Sequence, residues 1–222
     1  MLKCADQEKS PRFPAICALR MNVTTSIFTI SSNNKTQNLN YMATWKIDAS
    51  HSEIGFKVKH LMITNVSGGF TSFEGAVHAD SEDFHDARII FEADVNSVTT
   101  HNQQRDEHLK TADFFDSERF PRIRFVSKQV KKVNDQHFRL IGDLTIRDHT
   151  HSIELTVTYN GTTRDPWGQT KAGFELDGRL HRSDYGLRWS ATTEAGGLIL
   201  GDEVKLHMNI QLVQEVPVAA NV

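Results

Sequence analysis

From Thr44 onward the chain repeats in twos. The run "EVKLHMNIQLV" sets Val204, Leu206, Met208, Ile210 and Leu212 on one face and Lys205, His207, Asn209 and Gln211 on the other. Successive strand side chains point to opposite faces, so this pattern specifies a strand with one face in a core and one in water. The same parity holds for Ile54, Phe56 and Val58, for Phe138 to Ile146, for Ile153 to Tyr159, and for Phe174 to Leu180. Further strands are expected near 44–48, 69–79, 87–95 and 122–133. The polar stretches "SGG", "DSEDFHD", "NDQ", "RDHTH" and "RDPWGQ" supply the turns.

A sheet that is apolar on one face must close on itself or pack against a second sheet, because open edges recruit other chains. About eight antiparallel strands make a barrel wide enough for side chains or for one small ligand. A two-sheet sandwich satisfies the same alternation. The inward faces favour the barrel: they are almost wholly apolar, and 13 Phe stand against 3 Trp and 3 Tyr. With 222 residues and 38% hydrophobic content, one principal domain is expected.

One stretch breaks the period. In "RDEHLKTADFFDSERFP", Arg105, Leu109 and Ala112 recur at helical spacing, which predicts a short helix region over about 102–115, capped by Asn102 or Thr100. Pro121 marks the start of the next strand. A helix among strands either seals an open barrel end or merely crosses it.

Residues 1–41 read as a disordered extension, interrupted by Pro11 and Pro14 and ending in the polar run "SSNNKTQNLN"; Met42 is a candidate start of the folded protein. The domain is expected over 42–216, with 217–222 as a tail. Both cysteines, Cys4 and Cys17, fall in the extension, so the domain must hold without a disulfide. Arg20 interrupts "PAICALRM", which rules that stretch out as a signal-peptide core, and a cytoplasmic location is expected, with the periplasm as the alternative. No run reaches the ~18 apolar residues of a membrane span. A net charge of -3 gives no global pull toward nucleic acid or an anionic membrane.

The motifs "WKIDASHSEIGFKVKHLM", "GGFTSFEG", "RDEHLKTADFFDSERFPRIRF", "GDLTIRD", "HRSDYGL" and "GDEVKLHMNIQL", in this order from about Trp45 to Val213, resemble the YceI-like family of polyisoprenoid-binding or lipid-binding proteins. The resemblance implies an all-β, lipocalin-like, extended eight-stranded antiparallel β-barrel. It also implies an elongated apolar cavity for a polyisoprenoid, an isoprenoid quinone or a fatty-acid amide, a helix beside the barrel, and a homodimer as the candidate assembly. Where the family usually has Gly after "LTIR", this chain has Asp148, which is expected to take the left-handed turn position.

Strand parity nominates Phe56, Val58, Phe70, Phe91, Phe125, Phe174, Leu206 and Met208 as cavity lining; the plain alternative is packed core. His60, Arg105 and His108 sit within the family motifs and are the candidates to orient a head group at the mouth. The eleven histidines show neither His-Glu-x-x-His nor Cys-x-x-Cys spacing, so no metal and no cofactor are expected. No nucleophile elbow or phosphate loop occurs, and no catalytic residue is nominated. The expected function is non-catalytic binding and carriage of a long-chain lipid. Burying about 600 Å² of such a chain would yield on the order of 15 kcal/mol before entropic losses. A lipid-directed enzyme using His and carboxylate groups, or an interaction barrel with a filled core, are the alternatives.

Overall fold

The alternating runs form a closed ring because the first strand finds the last. In the computed structural model, which describes residues 43–80, 83–191 and 199–215, β1 (Ala43–Ile47) pairs with β11 (Leu200–Gln214) through Trp45↔Gln214, Lys46↔Val213 and Ile47↔Leu212. The strands between them are β2 (Glu53–His60), β3 (Thr64–Phe70), β4 (Phe73–Ala79), β5 (Arg88–Asp94), β6 (Val98–Thr99), β7 (Arg122–Lys132), β8 (His137–Ile146), β9 (His149–Arg164) and β10 (Thr170–His181). The ring runs β1-β4-β5-β7-β8-β9-β10-β11 and back to β1, eight strands, all antiparallel. The sandwich is thereby excluded. The expected extension over 1–41 and tail over 217–222 lie outside the described residues.

β2, β3 and β6 are not extra staves. Each continues a ring strand past a break: β1 into β2 through the 3-10 turn Ala49–His51, β3 into β4 at Thr71 and Ser72, and β5 into β6 through the 3-10 turn Val95–Ser97. β2 then pairs along β11 from Glu53↔Asn209 to Val58↔Val204, and β3 pairs with β2, so the wall extends beyond the closed ring. An aspartate caps each 3-10 break. Asp48 accepts from Ser50 N–H while its own N–H donates to Gln211 O at 2.8 Å; Asp94 accepts from Asn96 N–H while its N–H donates to Ser72 O at 2.9 Å. A short polar side chain satisfies the N–H groups that the sheet no longer reaches.

The α-helix α1 is Gln103–Lys110, shorter than the expected 102–115 region. Asn102 caps it by accepting from Arg105 N–H at 3.0 Å. It stops because Thr111 swings to extended backbone and bonds His108 O through both its N–H and its hydroxyl. Ala112 therefore lies outside the helix and is exposed, and Arg105, Leu109 and Ala112 do not share a helical face. In the β8–β9 hairpin the left-handed residue is Arg147, with φ 56, rather than Asp148. Arg147 is held there because its guanidinium donates to Phe114 O and Gly186 O, each at 3.2 Å.

Two apolar clusters stack inside the barrel. The smaller gathers Trp45, Val77, Ala79, Phe84, Ala87, Ala172 and Leu212; the larger includes Phe125, Phe138, Leu140, Leu155, Tyr185 and Leu187.

Candidate functional site

Inward-facing side chains of the barrel differ from one side to the other. On β7, β8 and β9 most are buried, among them Phe125, Phe138, Leu140, Leu144 and Leu155, while Val130 and Ile153 are half-buried. On β2, β3, β10 and β11 Ile54, Leu180 and Leu212 are buried, whereas Phe56, Phe70, Leu176, Leu206 and Met208 remain half-buried although they also point inward. Inward residues that keep accessible surface face an empty space. Among the described residues that space is an apolar cavity lined by members of both clusters.

The cavity volume is about 250 Å³. For scale, dry apolar cavities of about 150 Å³ take up benzene. The surface facing the cavity is wholly apolar. Water gains no partner there, so an apolar guest displaces none that is well held.

One end of the barrel is plugged. Phe84, from the loop between β4 and β5, folds inward in a left-handed conformation (φ 58) and packs on Trp45, Tyr159 and Phe174 with ring centroids 5.2, 5.8 and 5.1 Å away. At the other end Leu109 of α1, Phe114, Phe115, Leu187 and Leu200 complete the lining. Here Arg182, 7% exposed, contributes only its aliphatic stem. Its guanidinium donates to Gly201 O, Leu187 O, Trp189 O and Leu200 O, which ties the chain after β10 to the start of β11. Burial lowers its pKa. Beneath it Tyr185, 1% exposed, has its phenol pushed up to about 12 by burial.

All eight residues nominated from strand parity, Phe56, Val58, Phe70, Phe91, Phe125, Phe174, Leu206 and Met208, line the cavity. The three residues nominated for the mouth are not part of that lining. Arg105 is exposed and turned back onto its own helix cap, with Nε donating to Thr100 Oγ1 at 2.7 Å and Nη2 to Thr100 O at 2.9 Å. His108 pairs with Asp113 at 2.9 Å and stacks edge-on against Phe114 and Trp189. His60 ends β2 opposite Leu200.

Sequence reading missed Phe84, Phe114, Phe115 and Arg182. Arg182 was accessible to it, since the inward parity of Phe174, Leu176, Gly178 and Leu180 continues to this residue. Phe84 left a fainter trace, as the lone aromatic in an acidic loop. Among the described residues no three His, Cys, Asp or Glu side chains gather as a metal site, and no helix is long and apolar enough to cross a membrane.

Among the described residues the chain thus forms a closed antiparallel barrel with an apolar interior and one flanking α-helix. Residues 45–212 match the YceI-like domain. The chain belongs to the YceI-like family. Its similarity extends to a UPF0312 protein of Staphylococcus aureus strain MSSA476, 34% identical over 171 residues that cover 77% of this chain and 97% of the relative. Among solved structures, the YceI protein of Campylobacter jejuni superposes with a TM-score of 0.62 at 30% identity, covering 76% of this chain and 96% of that one. A polyisoprenoid-binding domain from Saccharophagus degradans shares the fold at 14% identity, with a TM-score of 0.58 over 79% of this YceI-like chain and 100% of its own.

Proposed function

We propose that this YceI-like protein binds one long-chain amphiphile in its barrel and sequesters or carries it without chemical change. The observation that carries this reading is the cavity surface, which among the described residues presents no polar atom. Such a wall recognises chain length and girth rather than a head group, so polyisoprenoids, isoprenoid quinones and fatty-acid amides form one ligand class for it. The polyisoprenoid-binding domain of Saccharophagus degradans, built on the same fold, supports that choice. The non-catalytic character rests on the same surface. Acid–base chemistry needs a titratable atom within about 3 Å of the reacting group, and among the described residues the cavity wall offers none.

The test is to purify the protein, extract it with organic solvent and identify the extract by mass spectrometry. One long-chain amphiphile per chain is expected. Leu206→Trp together with Met208→Trp should fill the half-buried side of the cavity and abolish the extractable lipid while the protein stays folded. An empty extract from the parent protein that also fails to take up added isoprenoid, or chemical turnover of that isoprenoid, overturns the reading.

A further inference from the structure

The hairpin joining β2 and β3 ends in Leu61, Met62 and Ile63, which are 40%, 61% and 76% exposed. Ile63 N–H closes the turn on His60 O at 3.2 Å, and the two central residues, Leu61 and Met62, both have positive φ, 51 and 59. A two-residue turn of this hand favours Asn-Gly, because a branched or bulky side chain is strained at positive φ. Here that strain coincides with large apolar side chains held in water. Directly behind the tip lies a second unfavourable arrangement: Lys57 on β2 and Lys205 on β11 are cross-strand partners on the outer face, and Lys59 is exposed two residues on. Like charges placed opposite one another weaken a sheet. Among the described residues these three lysines have no ion pair, and the nearby Glu203 is engaged by Arg179 at 3.4 Å.

Neither feature serves the barrel, and both serve one kind of surface. We infer that the Leu61–Ile63 hairpin docks the protein on an anionic lipid bilayer, the apolar tip entering the acyl region while Lys57, Lys59 and Lys205 meet the anionic head groups. Apolar insertion and a basic collar together match an anionic interface. The placement also suits transfer. Leu61 N–H donates to Ile199 O at 2.7 Å, and Val58 and Leu200, on the strands beside the tip, line the cavity. A docked tip brings the apolar lining to the membrane, so a chain passes between them with little exposure to water. The inference rests on the lipid-binding reading above.

The test is co-sedimentation of the full chain with vesicles of phosphatidylcholine and phosphatidylglycerol in equal parts, and with phosphatidylcholine alone. The parent should prefer the anionic vesicles, and high salt should remove that preference. Met62→Ser with Ile63→Ser changes only exposed side chains and should weaken vesicle binding about a hundredfold, while the lipid extracted from the purified protein is unchanged. Lys57→Gln, Lys59→Gln and Lys205→Gln together should abolish the discrimination between the two vesicle types. Vesicle binding that the tip variant leaves intact overturns the docking surface. A change in sedimentation of the lipid-free protein on tip substitution also overturns it, by showing that a second copy of this chain covers the tip. Tip-dependent vesicle binding by a protein that takes up no lipid upholds the docking surface and defeats the cavity reading instead.

Discussion

The ring of Phe84 meets that of Phe174 edge-on, with centroids 5.1 Å apart and planes at 87°. A loop residue and a strand residue thereby form the stopper that makes one end of the barrel blind. The contact fixes where the cavity ends, and the strands alone do not.

Truncating the stopper should be costly. Phe84 is 5% exposed, and Phe84→Ala removes a buried ring that the closed β-wall cannot collapse to replace. A loss of about 3–5 kcal/mol is expected, read as a lowered midpoint in urea unfolding. The same variant lengthens the cavity, so the extracted amphiphile should shift toward longer chains.

Gly142 is required by the ring of Phe125. A Cβ at position 142 would collide with the tip of that ring and stand 2.5 Å from Val126 O, a backbone atom that cannot swing aside. Gly142→Ala should destabilise by about 1–3 kcal/mol through overpacking. Gly142→Ala combined with Phe125→Leu should recover part of that loss, which an equilibrium double-mutant cycle measures.

Asp48 supplies a pH dependence whose sign is fixed. Its hydrogen bond from Ser50, aided by His51 and Gln211, holds its pKa at about 2 against an ordinary 3.8, although burial opposes this. A depressed pKa contributes stability that is present above pH 3.8 and is lost as pH falls through about 2. Asp48→Asn should therefore be less stable than the parent at neutral pH, and the gap should narrow across that acid window. Urea midpoints above pH 3.8 and near pH 2 check this; an equal gap at both would contradict it.

Arg182→Lys preserves the charge but not the fork. A single ammonium cannot serve Gly201 O, Leu187 O, Trp189 O and Leu200 O together. Leaving buried carbonyls unmet should cost about 3 kcal/mol. Faster amide exchange is expected over Leu187 to Trp189 and at the start of β11.

Alternation marked most of the β-strands and the eight lining residues, because strand parity is a local property: once Phe56 or Met208 points inward, its neighbours two along do so too. The strand expected over 69–79 is instead β3 and β4, broken at Thr71 and Ser72. The same parity, carried one residue past the end of β10, reaches Arg182. Asn102 was legible as a helix cap for the same reason, since a cap depends on the next three residues. The polar nominations at the mouth fared differently. Arg105 and His108 are claimed by Thr100 and Asp113, partners that motif membership does not reveal. Helix length was also misjudged, because Thr111 turns back onto His108 O before the apolar pattern ends.

Sequence by itself thus determined that the chain makes one-sided strands with an apolar inner face, since side-chain direction follows from backbone geometry residue by residue. The tertiary structure decided that those strands close through Ile47 and Leu212, that Phe84 blocks one end, and that a hollow remains inside the ring. Closure and emptiness depend on how far apart walls stand that are distant in sequence, and no local rule measures that distance.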